Sequence, residues 1–225
     1  MKTVIDRANT RGHADYGWLN TWHTFSFADY YNPQRIHFGA LRVLNDDTVT
    51  PGMGFDTHPH KNMEVISIPL KGYLRHGDSL EHSEVISPGD IQVMSTGSGI
   101  YHSEFNDSKT ENLEFLQIWV IPRVNNTKPV YKSYDIRQVD MKNRFGYIVA
   151  PDGTAPGGIL QDAWFALGKL EKGKKIGYHL HQKNTGVSSK VKSVSKVLIC
   201  RDVMVWVSRR QTIFRWRHGV RLMCC

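Results

Sequence analysis

Short runs of β-branched, aromatic and other apolar residues recur along the chain as far as about residue 182, and clusters of Gly, Pro, Asn and Asp separate them. Such runs are typical of β-strands, and no long segment shows the apolar period of about 3.6 residues that marks a helix. The pattern therefore predicts an all-β fold, a sandwich or barrel rather than a parallel α/β sheet. The clearest runs are "HTFSF", "FGALRVL", "MEVISIPL", "EVISPGDIQVM", "LEFLQIWVIP", "RFGYIVA" and "DAWFALGKL".

A polar stretch, "RVNNTKPVYKSYDIRQVDMKN", interrupts these runs after Ile121 and is the best candidate for a linker. A chain of 225 residues can bury one large core or two smaller ones without disulfides or a structural metal. We therefore predict a first domain over residues 1–132 and a second that starts at residue 133.

The composition changes sharply after Gly186. Residues 187–225 carry nine Lys and Arg against the single acid Asp202, a net charge of +8 that equals the charge of the whole chain, and they also hold all three cysteines. Turn signals are rare there. We predict that 133–187 begins a second barrel that is incomplete or aberrant, and that 188–225 is an atypical basic tail, translated from a shifted reading frame or otherwise foreign to the fold. A divergent but genuine set of edge strands is the alternative.

Because the positive charge is confined to this tail, it is weak support for a polyanion partner. A nucleic-acid binder that stacks bases on Trp206, Phe214 and Trp216 is the least favoured function. No window approaches the roughly 18 apolar residues of a membrane span, and the first residues lack the features of a signal peptide. We expect a cytoplasmic monomer with reduced cysteines and neither membrane nor nucleic acid as partner.

Two short motifs could carry metal chemistry. In "GFDTHPHKNMEVISIPLKG", His58 and His60 are two residues apart, and in "GIYHSEFN" the same spacing separates His102 from Glu104. Residues i and i+2 of a strand project from one face, so each pair can aim at a common point. If the two strands are neighbours, three imidazoles and a carboxylate could bind one divalent ion, and this donor set suits Fe(II), Mn, Co, Ni, Cu or Zn.

The chain has 11 histidines, and most of them are better explained as packed or surface residues. His179 and His181 form a further His-x-His pair, but no second ligand pair follows it, so packing is favoured there too. We expect packing or surface roles for His13, His23, His37, His76, His82 and His218.

A family resemblance is carried by four longer motifs: "GWLNTWHTFSFADYYNP", "FGALRVLNDDTVTPGMGFDTHPHKNMEVIS", "GDIQVMSTGSGIYHSEFN" and "LEFLQIWVIP". Through these motifs, residues 1–186 resemble the pirin-like bicupins, which include bacterial quercetin 2,3-dioxygenases. The resemblance implies two cupin barrels (double-stranded β-helices) with one metal ion, expected to be Fe(II), in the N-terminal barrel. It implies the ligands His58, His60, His102 and Glu104. The general cupin pattern would instead use Glu64, which remains a candidate neighbour of the ligands or alternate ligand.

The function that this resemblance implies is a metal-dependent dioxygenase that cleaves flavonols such as quercetin with O₂ and releases CO. Glu104 is the expected general base, because it is the only carboxylate of the set. The alternative is a metal-binding, redox-responsive partner of transcription factors without turnover. Candidates for hydrogen bonds to the ligands are Asp56, Asn62 and Asn106, and candidates for an apolar wall are Phe27, Phe38, Met53, Phe55 and Met94.

Overall fold

The computed structural model describes the backbone of residues 3–6, 8–169, 171 and six strand segments between residues 177 and 221, with side chains over 9–169 and 171. Within these residues the structure contains strands and one 3₁₀ turn, Ala8–Thr10, and no α-helix. The predicted all-β fold is confirmed.

The first twelve strands are β1 (Thr3–Asp6), β2 (Gly12–Asp15), β3 (Leu19–His23), β4 (Leu41–Val49), β5 (Gly54–His60), β6 (Glu64–Lys71), β7 (Leu74–Asp78), β8 (Ser83–Ile86), β9 (Asp90–Ser95), β10 (Ile100–Asn106), β11 (Leu113–Val120) and β12 (Val130–Asp135). The other nine are β13 (Gly146–Ala150), β14 (Gly157–Gly158), β15 (Phe165–Leu167), β16 (Gly177–Tyr178), β17 (Thr185–Ser189), β18 (Lys196–Cys200), β19 (Val203–Val207), β20 (Ile213–Arg217) and β21 (Val220–Arg221).

The chain divides into two compact units. The N-terminal unit comprises Gly12–Ile136 and the short segment Ile159–Gln161, and the C-terminal unit comprises the remaining residues, including Met1–Arg11. The predicted boundary at residue 133 lies close to the end of the long N-terminal segment. The grouping of the first residues with the C-terminal unit was not anticipated, and the exact domain bounds stay a prediction.

Two antiparallel sheets build the N-terminal unit. One has seven strands in the order β12-β9-β6-β11-β4-β3-β2, and the other has four in the order β5-β10-β7-β8. Alternation of buried and exposed residues is clearest in β10, where Ile100, His102, Glu104 and Asn106 are buried. Successive side chains of a strand point to opposite faces of the sheet, so every second residue of β10 faces the interior. The interior face of β10 is therefore polar in its central part.

The N-terminal unit also contains two apolar clusters. The first consists of Leu19, Val49, Leu74, Ile86, Leu113 and Phe115, with Trp18 and Phe55 packed against it. The second consists of Val65, Met94, Ile100 and Tyr131, with Met63 and Trp119 packed against it. Full burial of each large apolar side chain contributes about 1.5–3 kcal/mol to folding, so these clusters stabilise the unit that holds the polar groups.

In the C-terminal unit, β13 pairs in parallel with β14 and antiparallel with β15. Strand β20 pairs with β1 and with β17, and β18 pairs with β19. Backbone strands are thus present after residue 187, whereas the side chains of Trp206, Phe214, Trp216 and His218 lie outside the described ones. His179 and His181 lie outside the described residues altogether. The predictions of a shifted reading frame and of an incomplete second barrel stay predictions.

Within the part of the chain that the structure describes, no helix is long and apolar enough to cross a membrane.

Candidate metal centre

The pairing of β5 with β10 brings three histidines together. His58 lies opposite His102, and His60 lies opposite Ile100. The candidate ligand atoms of the three imidazoles all lie within 4.8 Å of one another. Their ring centroids are 4.5 to 4.9 Å apart. Neutral imidazoles at this spacing could hold one transition-metal ion.

A β-bulge lies beside this group. Between the pairs His58 with His102 and Phe55 with Glu104, β5 advances by three residues and β10 by two. The extra length includes Asp56, whose backbone carbonyl accepts a hydrogen bond of 2.7 Å from His58 Nδ1. A carbonyl oxygen only accepts, so Nδ1 carries the proton and Nε2 of the neutral ring keeps its lone pair. The predicted interaction of Asp56 is therefore made by its backbone.

Burial keeps the other two imidazoles uncharged. Burial, together with the neighbouring rings of His102 and His58, lowers the pKa of His60 to about 4. Burial and the rings of His58 and His76 lower the pKa of His102 to about 3. Both rings are neutral near pH 7, which is the form that binds metals.

His102 is the histidine of the group whose ring nitrogens most need a binding partner. It is 1% exposed, and neither of its ring nitrogens has a hydrogen-bond partner. Unpartnered polar atoms are costly in a protein interior, typically by about 1–3 kcal/mol each. A metal ion bound at one nitrogen would satisfy it, so the donor set fits a metal centre.

Glu104 lies beside the histidines but outside the group of three. Its carboxylate is 2% exposed and accepts hydrogen bonds from Ser67 Oγ at 2.8 Å and from the side-chain amides of Gln92 and Gln117, both at 2.5 Å. All three donors are neutral, and no ion pair of Glu104 occurs among the described residues. A buried carboxylate without a cation is costly, so this arrangement also favours a bound cation nearby.

Aromatic and apolar side chains surround part of the site. Trp119 packs edge-on against His60 with centroids 4.8 Å apart, and Phe27 packs edge-on against Trp119 at 5.3 Å. Met94 belongs to the same apolar cluster as Trp119. Phe27 and Met94 are thus connected to His60 through Trp119, and their role as the wall of a cavity stays a prediction.

The other predicted wall residues lie elsewhere or are open to solvent. Phe55 packs with Trp18 against the other apolar cluster, that of Leu19 and Phe115. Met53 is 44% exposed. Phe38 is half-buried.

Glu64 makes other contacts than those of a metal ligand, the role that the general cupin pattern suggests for it. Its carboxylate is fully buried and accepts hydrogen bonds from the backbone N–H groups of Leu160 and Gln161, at 2.7 and 2.8 Å, and from Ser95 Oγ at 3.0 Å. Burial raises its pKa, and these three hydrogen bonds oppose the rise. Glu64 therefore holds the segment 159–161 and is not part of the histidine group.

The remaining predicted neighbours of the ligands bind loops instead. Asn62 accepts a hydrogen bond from the backbone N–H of Asn126. Asn106 donates to the backbone carbonyls of Val49 and Glu111. Neither side chain has a hydrogen bond to the three histidines. Both lie at or near the end of a strand, and both bond to backbone N–H or C=O groups there, which need partners of their own.

Sequence reasoning missed His76, which is fully buried in β7 with its ring centroid 5.4 Å from that of His102. It also missed Ser67, Gln92 and Gln117, which hold Glu104. The alternation Leu74, His76, Asp78 indicates one inward face and could have drawn attention to His76. The three partners of Glu104 lie on three different strands, and nothing local in the sequence connects them.

Other histidines do have the packing or surface roles assigned to them. His13 stacks on Trp22 with centroids 4.1 Å apart. His23 is buried and its Nδ1 lies 2.9 Å from Asn45 Oδ1. His37 donates from Nδ1 to the backbone carbonyl of Gly39.

Comparison with known proteins identifies the family that the sequence motifs resemble. The family described as Pirin matches residues 4–120. A protein of Escherichia coli K12 named quercetin 2,3-dioxygenase is 47% identical over 148 residues, which cover 66% of this chain and 63% of that protein. The chain thus matches less than two thirds of the length of this relative.

Solved structures extend the likeness over nearly the whole chain. The crystal structure of bacterial pirin YhhW from Escherichia coli in complex with nickel(II) is 33% identical, with a TM-score of 0.78 and coverage of 98% of this chain and 96% of that one. A quercetin 2,3-dioxygenase from Acinetobacter baumannii has a TM-score of 0.67 at 16% identity, covering 95% of this chain and 77% of that one, and shows a shared fold alone.

Proposed function

The chain belongs to the pirin family, and from this premise we propose that it is a metal-dependent dioxygenase that cleaves flavonols such as quercetin. The observation that carries the proposal is the group of three imidazoles within 4.8 Å, next to a buried carboxylate that has only neutral partners. The name of the Escherichia coli relative supports the same reaction class.

In this proposal, His58, His60 and His102 bind one divalent transition-metal ion. Glu104 is the fourth ligand or stands beside the ion as proton acceptor. Fe(II) is the expected ion, and Mn, Co, Ni, Cu and Zn suit the same donors. When bound, such an ion lowers the pKa of a coordinated hydroxyl group and supplies the redox chemistry for reaction with O₂.

Glu104 accepts the proton of the flavonol 3-hydroxyl at a carboxylate oxygen. Ser67 and Gln92 donate to Oε1 and Gln117 donates to Oε2, so the carboxylate is held in one orientation. Each carboxylate oxygen can accept more than one hydrogen bond, so these contacts leave room for a substrate proton. Correct positioning of a general base typically contributes about 10²–10⁴-fold to a rate.

Apolar side chains limit the access of water. Trp119 covers an edge of His60, and Met63, Met94 and Ile100 belong to or pack against the same cluster. Such surroundings suit a planar aromatic substrate and protect a reactive anion from protonation. The flavonol anion and O₂ then give the ring-cleaved ester and CO.

The test uses the full chain, loaded separately with each of the six metals. Loss of the flavonol absorbance, O₂ consumption and CO release are measured together. We expect all three with at least one metal and none with metal-free protein or with His102→Ala. A chain that binds one equivalent of each metal yet consumes no flavonol would contradict the dioxygenase proposal and would leave the regulatory alternative.

A further inference from the structure

His102 needs a second partner if it binds a metal. A histidine ligand uses one ring nitrogen for the metal and usually donates its other N–H to an acceptor, which fixes the orientation of the ring. His102 is 1% exposed and has no hydrogen bond at either nitrogen, so solvent does not supply that acceptor. A neighbouring buried group must therefore supply the acceptor when the metal is bound.

His76 is a neighbour with an unused acceptor. Strands β7 and β10 pair so that His76 lies opposite Glu104 and Asp78 lies opposite His102. His76 Nε2 lies 2.9 Å from Asp78 Oδ2, and a carboxylate only accepts, so Nε2 carries the proton. In the neutral ring Nδ1 then has the lone pair, and this nitrogen is buried without a partner.

The orientation of His76 is fixed from two sides. Its ring stacks on Tyr131 with centroids 4.0 Å apart and planes 8° from parallel. Asp78 is itself held by the backbone N–H groups of Leu80 and His82, at 2.8 and 3.2 Å, and by His82 Nδ1 at 3.0 Å. The tautomer and the plane of His76 are therefore set by groups other than His102.

We propose that His76 is a positioning residue for His102: once a metal ion binds one ring nitrogen of His102, His76 Nδ1 accepts a hydrogen bond from the N–H of the other, and Asp78 fixes the tautomer that makes this possible. The inference rests on the proposed metal site at His58, His60 and His102. It does not depend on the flavonol reaction.

Metal affinity tests the inference, measured by competition with a chelator for Co(II) and Zn(II). His76→Phe keeps a ring against Tyr131 and removes the acceptor, and we expect it to weaken binding about 10–100-fold, the usual effect of losing such a partner. His76→Asn retains an acceptor near the position of Nδ1 and should recover most of the affinity. The matched control is His13→Phe, since His13 also stacks on an aromatic ring, that of Trp22, but is exposed and lies outside these contacts. Its affinity should stay within about 3-fold of wild type, well short of that usual effect.

Equal weakening in His76→Phe and His76→Asn would overturn the proposal and indicate packing instead. Unchanged affinity in His76→Phe would overturn it as well. If wild-type protein binds no metal, the proposed metal site fails, which is a separate outcome.

A measurement on wild-type protein does not depend on the folding of any variant. Nitrogen-15 NMR of the histidine rings in the Zn(II)-loaded chain distinguishes protonated from unprotonated ring nitrogens. We expect His76 to be protonated at Nε2 and unprotonated at Nδ1, with a ring N–H of His102 that is protected from exchange. A proton on His76 Nδ1 would contradict the proposal.

Discussion

His58 lies directly opposite His102 across the β5–β10 pair, with their ring centroids 4.5 Å apart. The two residues are 44 positions apart in the sequence, so this pairing creates the centre. His60 joins them because it lies two residues from His58 on the same strand. The three histidines thus come together because of the register between β5 and β10 as well as because of the sequence of each strand.

Glu104→Gln should separate proton acceptance from metal binding. The variant keeps the shape of the side chain but has one acceptor oxygen and no negative charge. We expect it to retain more metal than His102→Ala while turnover falls about 10²–10⁴-fold, the usual contribution of a general base. Metal content and flavonol turnover are measured on the same preparations. Glu111→Gln, at an exposed position, is the control, and wild-type turnover in Glu104→Gln would exclude Glu104 as the base.

Glu64→Gln should loosen the segment 159–161. The backbone N–H groups of Leu160 and Gln161 bond to different oxygens of Glu64, and a Gln side chain has only one acceptor oxygen. We expect a loss of about 1–3 kcal/mol in the free energy of unfolding. Amide hydrogen exchange at Leu160 and Gln161 should accelerate. Ser95→Ala removes the third partner of Glu64 and leaves these two N–H groups bonded, so both amides should remain protected in that variant.

Asp47→Asn should change how stability depends on pH. Burial raises the pKa of Asp47 to about 7, with the charges of Asp46 and Glu104 adding to the rise. The folded protein therefore holds this proton between about pH 4 and 7 while the unfolded chain releases it, so the contribution of Asp47 to stability falls as pH rises through this window. The free energy of unfolding of Asp47→Asn, relative to that of wild type, should therefore rise by up to about 4 kcal/mol between pH 4 and pH 8.

Urea denaturation at a series of pH values measures this difference. Asp46→Asn, on the neighbouring half-buried residue, is the control and should not reproduce the full gain. A constant difference between Asp47→Asn and wild type from pH 4 to 8 would show that the buried carboxyl does not titrate in that range.

The metal-free protein should lose stability on the acid side because of the imidazoles. The pKa values of His60 and His102 are lowered to about 4 and 3, chiefly by burial, whereas unfolded imidazoles titrate near pH ~6.5. Below pH ~6.5 the unfolded chain takes up protons that the folded protein does not, so the free energy of unfolding falls by up to about 1.4 kcal/mol per pH unit for each ring.

His102→Phe should lose the share of this slope that His102 contributes, while His13→Phe should keep it, because His13 is exposed. The slopes are compared by urea denaturation of metal-free protein between pH 7 and 4.5. Identical slopes in wild type and His102→Phe would be inconsistent with a buried neutral imidazole.

The sequence predicted the all-β fold because strand alternation is local. The same rule predicted that His58 and His60 project from one face of their strand and could meet His102 if the two strands were neighbours. These three rings are grouped in the structure, although their role as ligands stays a prediction. The hydrogen bonds of Glu104 were not predictable, since Ser67, Gln92 and Gln117 come from β6, β9 and β11 and meet only through register.

Other features depended on distant contacts in the same way. Glu64 was compared with a ligand position, but its partners Leu160 and Gln161 are almost 100 residues away. His76 was assigned to packing because a single histidine on a strand carries no signal of its neighbours. Its stacking on Tyr131 and its proximity to His102 arise from tertiary structure alone.

Anomalous diffraction can locate the ion that we propose at His58, His60 and His102. Crystals of the full chain loaded with one equivalent of Zn(II) are measured on both sides of the zinc absorption edge. We expect a single anomalous peak about 2.0–2.1 Å from one nitrogen each of His58, His60 and His102. A peak at another position, or one bound without any of these three imidazoles, would contradict it.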